Sequence, residues 1–129
     1  MTVTETTNGV KISVSNNYRP EHSEIEKSIY LFSYRVTIEN NSSDTIQLLK
    51  RHWYIYDTSG HYREVSGEGV VGLQPTLACG QIHEYESACN LFTDMGKMFG
   101  KYTMLNKSTG KTFEVVIPIF EMYAPFRLN

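Results

Sequence analysis

Apolar and polar residues alternate along much of this chain, and the alternation comes in short runs. Val10, Ile12 and Val14 are interleaved with Lys11, Ser13 and Ser15, the period of two that a strand with one wet face requires. In "IYLFSYRVTIEN" the side chains of Tyr30, Phe32, Tyr34, Val36 and Ile38 fall on one face, and those of Leu31, Ser33, Arg35 and Thr37 on the other. A third run, "TIQLLKRHWYIYD", changes parity between Ile46 and Leu48 on one side and Leu49, Trp53 and Ile55 on the other. That change predicts a bulge or twist near Leu48 and Leu49. Its new parity sends His52, Tyr54 and Tyr56 outward as a partly aromatic strip. Arg51 then points inward, which is consistent only if that part of the strand lies at the rim of a sheet.

Turn signals separate these runs. "NNSSD" at residues 40–44 is a turn by composition, because short polar side chains compete for backbone hydrogen bonds. "DTSG" at residues 57–60 reads as a type I turn with glycine last, and "NKSTG" at residues 106–110 repeats its chemistry, so both are predicted hairpin tips. The later runs "HYREV", "QIHEYES", "FGKYTML" and "KTFEVVIPIFEMY" follow at intervals of ten or so residues. Residues 93–98 form the weak helical candidate. The whole pattern is that of an all-β, antiparallel sandwich or barrel. Its 129 residues fit one domain spanning 1–129, with 1–9 expected to be a flexible N-terminal segment.

Charge and cysteine content narrow the functional classes. Twelve basic residues against 14 acidic ones give a net charge of −2, so no global basic field draws the chain to nucleic acid or an anionic membrane. No apolar run is long enough to span a bilayer, and the N-terminus lacks the basic start and apolar core of a signal peptide, so a cytoplasmic location is expected. Cys79 and Cys89 lack C-x-x-C spacing and are expected to be reduced, small apolar residues.

"GEGVVG", from Gly67 to Gly72, has the glycine spacing of a dinucleotide-binding loop. That loop works only where a helix N-terminus faces the pyrophosphate. Here Gly72 is followed by Leu73, Gln74 and Pro75, with Gly80 close behind, so no useful helix can begin. The favoured reading is structural: Gly67, Gly69 and Gly72 permit positive φ or close backbone contact where a strand is interrupted. A smaller functional reading is a phosphate-binding concavity of backbone N–H groups, with Arg51 supplying charge.

Catalytic chemistry is sparse. "HEYES" falls one residue short of H-E-x-x-H, and strand geometry would send His83 and Glu84 to opposite faces, leaving His83 as a solvent-facing strand residue. No nucleophile signature occurs. Glu21, His22, Glu24 and Glu26 are the densest oxygen-rich cluster and could suit a divalent cation, although a solvated loop is the simpler reading. Neither a catalytic residue, a metal ligand nor a cofactor is assigned. His52, Tyr54 and Tyr56 are the candidate partner-binding residues, because tyrosine joins a large contact area to a polar tip. Edge strands offer a route to a homodimer.

Taken together, "RHW" at residues 51–53, the turn at residues 57–60, "GEGVVG" with Gln74 and Pro75, and Gly80 resemble the ApaG family. Tyr85, Ser87, Cys89, Leu91, Thr93, Gly96, Met98, Gly100 and Tyr102 also fall on that family's spacing, as do Ile117, Pro118, Phe120 and Pro125. Leu73 and Asp94 depart from it, standing where a charged residue and a proline are common. The resemblance implies a two-sheet sandwich of the immunoglobulin or fibronectin type III kind. It also implies a genetic association with cobalt resistance and magnesium efflux, and a gene often near that of a diadenosine tetraphosphate hydrolase. Related domains in F-box proteins and in a polymerase-delta-interacting protein look like interaction modules. The expected function is therefore non-catalytic binding through a protein partner, with a phosphate sensor and direct magnesium or cobalt binding as alternatives.

Overall fold

The computed structural model describes residues 1–125 and is built almost entirely of strands. They are β1 (Thr2–Thr7), β2 (Val10–Tyr18), β3 (Tyr30–Asn40), β4 (Ile46–Asp57), β5 (Tyr62–Glu68), β6 (Thr76–Leu77), β7 (Ile82–Leu91), β8 (Met95–Asn106) and β9 (Thr112–Tyr123). One sheet has the order β1-β2-β3-β7 and the other β5-β4-β8-β9, with the short β6 added to β4. All pairings between these strands are antiparallel. The two sheets face each other without closing, as a β-sandwich.

Alternation read from the sequence decides which side of each strand is buried. Val10, Ile12 and Val14 of β2, and Phe32, Val36 and Ile38 of β3, are at most 1% exposed. Facing them are Ile46, Leu48, Trp53 and Ile55 of β4, with Met98, Tyr102 and Met104 of β8 and Val115, Ile117, Phe120 and Met122 of β9. Trp53 sits among aromatic rings, with Tyr34 at 5.4 Å, Phe120 at 6.0 Å and Tyr102 at 6.5 Å, all three edge-on at interplanar angles of 64° to 88°. Such edge-to-face contacts match the positive ring edge to the negative face.

The parity change in β4 is a bulge: its register against β8 shifts between Leu48 and Lys50, leaving Leu49 as the extra residue. A second shift lies between β8 and β9, where Phe99 opposes the pair Pro118 and Ile119. Proline has no N–H for the ladder, so an edge strand is bulged there. Both Ile117 and Phe120 stay buried across that bulge despite their odd spacing.

Two expectations are corrected. Residues 1–9 are not a flexible arm, because Thr2–Thr7 pairs along its whole length with β2 around the turn at Asn8 and Gly9. Its alternation of threonines and acids with few apolar residues hid a strand whose ladder comes from its neighbour. Residues 93–98 are not helical either: Asp94 lies in a turn and β8 begins at Met95.

Candidate functional site

The glycine segment begins as β5 leaves the sheet. Gly69 has φ +64°, and its N–H donates to the Leu49 carbonyl at 2.9 Å. Val70 and Leu73 exchange N–H···O bonds of 2.8 and 3.0 Å, while Val71 and Gly72 between them have φ of +48° and +77°. Positive φ at both central residues is the signature of a type I′ hairpin turn, and a β-branched residue there is strained. A Cβ on Gly69 would lie 2.2 Å from the Leu73 carbonyl oxygen. Gly67 clears space of another kind, since a Cβ there would stand 3.0 Å from the Arg51 guanidinium nitrogens.

Arg51 points inward from the middle of β4, opposite Gly67 of β5 and Tyr102 of β8, and not from a sheet rim as expected; loop carbonyls meet its charge instead. Its Nη1 donates to the carbonyls of Glu68 and Gly69, both at 3.0 Å. Thus Arg51, Gly67 and Gly69 are brought together, while Gly72 stands apart at the turn tip. The guanidinium faces loop carbonyls, and the N–H groups of Gly69 and Val70 already bond to protein oxygens.

The outward face of the same sheet carries a different arrangement. His52 and Tyr54 rings lie 4.7 Å apart; Tyr54 stacks on Phe99 at 5.2 Å and 17°, and Phe99 on Tyr56 at 5.9 Å and 7°. Tyr56 meets Tyr62 of β5 at 4.6 Å, and the Lys97 ammonium lies 5.5 Å from the Tyr56 ring centre. Cross-strand pairing explains the line: Tyr54 opposes Phe99, and Tyr56 opposes both Tyr62 and Lys97. His52 Nε2 is 2.7 Å from Glu64 Oε1. Hydrogen bonds from Tyr62, then from His52, hold the Glu64 carboxyl below its usual range. Sequence reading found three members of this strip and missed Phe99, Tyr62, Lys97 and Glu64, because only the register of β8 and β5 brings them there.

The remaining candidates disperse. Glu21 and His22 lie in one exposed 3-10 turn and Glu26 in a second, with Glu24 at the N-cap position of the second and Lys27 3.4 Å from Glu24. Among the described residues no group of three or more His, Cys, Asp or Glu is placed to hold a metal ion. His83 is not solvent-facing as expected: it pairs with Ile38 on the inner face, and its Nε2 is buried without a hydrogen-bond partner. The strand register places "HEYES" one step from the parity assumed for it. Cys79 is exposed, contrary to expectation, whereas Cys89 is 6% exposed. Burial pushes the Cys89 thiol up to about 11.

Asp57 is the structural hub that the turn motif did not announce. Its Oδ1 accepts from the Ser59 N–H and hydroxyl and from the His61 N–H, and its Oδ2 accepts from the Phe92 N–H at 3.0 Å. The β4–β5 hairpin tip is thereby tied to the end of β7. Burial alone would raise the Asp57 carboxyl, but these bonds, led by the Ser59 hydroxyl, outweigh it and hold the pKa below the usual value.

Comparison with known proteins places this geometry. The family model described as the ApaG domain matches residues 20–106. Protein ApaG of Brucella abortus (strain S19) is 45% identical over 119 residues, covering 92% of this chain and 91% of the relative, and Protein ApaG of Brucella anthropi shows the same identity and coverage. A crystal structure of a Bordetella pertussis protein described as ApaA superposes with a TM-score of 0.86 at 41% identity, covering 90% of this chain and 94% of that one. By the family model, the relatives and the superposed structure alike, this chain belongs to the ApaG domain family.

Proposed function

We propose that this protein is a non-catalytic interaction domain, working in the cytoplasm, that binds a protein partner through the outer face of the five-stranded sheet. One observation carries the reading: His52, Tyr54, Phe99, Tyr56 and Tyr62 form a continuous line of rings in contact, stacked at Phe99 and tilted at its two ends, and among the described residues no strand or helix covers it. Rigid aromatic side chains lose little entropy on contact and dominate interface energetics. Lys97 and Glu64 at the margins supply a polar rim of both signs. Membership of the ApaG family supports a role in cobalt resistance and magnesium efflux exerted through that partner.

The test is capture and complementation with the double variant Tyr54→Ser/Tyr56→Ser. Both rings lie on the outer face, so the variant keeps the wild-type circular-dichroism melt within a few degrees. A strain lacking the protein regains cobalt tolerance from the wild-type gene and not from the variant, and a partner retained by immobilised wild type is lost. Equal tolerance and equal recovery with both proteins sink the reading.

A further inference from the structure

The two sheets are offset, and the offset leaves a place for a strand. Val65 of β5 pairs with Trp53 and so points to the same inner side, yet Trp53 is 2% exposed and Val65 is 39% exposed. Opposite it, the first sheet ends at β7, which among the described residues pairs with β3 alone. The inner-facing residues of β7 grade accordingly: Cys89 and Leu91 are buried, while His83, Tyr85 and Ser87 are only half-buried. At the closed end Arg63 reaches across from β5, its Nη2 donating to the Asn90 carbonyl at 2.6 Å and lying 3.4 Å from Cys89 Sγ. At the open end Leu73 and Ile82 are 56% and 54% exposed and line a shallow cavity with Pro75, Leu77 and His83. Among the described residues β7 thus presents an unpaired edge, and the inner side of β5 facing it carries exposed Val65 beside Gly67 and the Arg51 guanidinium.

We propose that this edge receives an extended segment of another protein, alternating basic and apolar residues, which adds to β7 as a fifth strand of that sheet. Strand addition supplies main-chain hydrogen bonds, while alternate side chains set specificity. Inward residues of the segment would cover Val65 and the Tyr85 ring and are therefore apolar. Outward ones would stand beside Glu84 and Glu86, whose side chains are 52% and 47% exposed, and are therefore basic. Arg35 and Arg19 already pair with these carboxylates at 3.5 to 3.7 Å, in exposed pairs weak enough for a second cation to share or displace them. A second copy is the wrong occupant, because the most extensive two-fold pairings of β7 with itself set Glu86 directly or diagonally against its own equivalent. This surface is separate from the stacked aromatic face and stands whether or not that face binds.

The experiment is a ¹⁵N–¹H NMR titration of the whole chain with a synthetic seven-residue peptide alternating Lys and Val, and with its Glu–Val analogue. The Lys–Val peptide is expected to give saturable shifts at Val65, Gly67 and the β7 amides, and the Glu–Val peptide to bind about tenfold more weakly or not at all. Val65→Lys weakens Lys–Val binding about tenfold, while Tyr56→Ser leaves it unchanged. A nitroxide on the peptide broadens β5 and β7 resonances of the wild-type chain, a reading that needs no variant. Absence of saturable shifts at millimolar peptide, equal binding of both peptides, shifts confined to the aromatic face, or concentration-dependent β7 shifts without peptide would each overturn the proposal.

Discussion

At the scale of single residues, three side-chain environments make sharp predictions. Gly69→Ala must distort the loop, since positive φ and a Cβ 2.2 Å from the Leu73 carbonyl are both incompatible with alanine. Such replacements cost about 1–3 kcal/mol, and a denaturant melt should show it; an unchanged midpoint would mean that the loop is not held in this conformation. Asp57→Asn removes acceptor capacity from a four-bond hub and should cost about 1–3 kcal/mol at neutral pH. Because the folded pKa of Asp57 lies below its unfolded value, its stabilisation is present at neutral pH and is lost as pH falls through the folded pKa. Thermal melts from pH 7 to pH 2 should show the wild type converging on the Asn variant below about pH 4. The thiols differ as sharply: exposed Cys79 should react with a thiol reagent at once, and buried Cys89 only at the rate of unfolding.

At the scale of elements, alternation was enough to locate the buried face of β2, β3 and β4, and even the bulge at Leu49, because side-chain period and burial are one signal in a strand with one dry face. It failed for β1, whose residues are mostly exposed on both sides and which is held by its register with β2. It failed for Thr93 as well, since the polar turn there is fixed by long-range bonds, including that of Thr58 to Thr93 at 2.7 Å. The candidate strip was legible as far as β4 alone carries it; Phe99 and Tyr62 enter by pairing, which no local spacing encodes. Between β3 and β4, composition named a turn but not the role of Asn40. That side chain is 0% exposed and donates to the Asp44 and Leu77 carbonyls at 2.8 and 2.9 Å while accepting from Ser42. Asn40→Ala leaves those buried groups unpaired and should cost about 2–4 kcal/mol, more than one ordinary hydrogen bond. A loss under 1 kcal/mol in urea melts would show that the turn holds itself without Asn40.

At the scale of the whole molecule, the sandwich divides its outer surfaces by chemistry. The four-stranded sheet shows exposed ion pairs, Arg35 with Glu84 and Glu86 and Arg19 with Glu86, which contribute little to stability and keep that face solvated. The five-stranded sheet shows stacked rings, and the offset between the sheets leaves, among the described residues, an unpaired β7 edge at one side. None of the described helical turns is long or apolar enough to cross a membrane. The most direct measurement is an NMR footprint: the ¹⁵N-labelled chain, with and without the partner retained by wild type. Perturbation centred on His52, Tyr54, Tyr56 and Phe99 is the predicted result, and a footprint that leaves those four residues untouched would contradict the account.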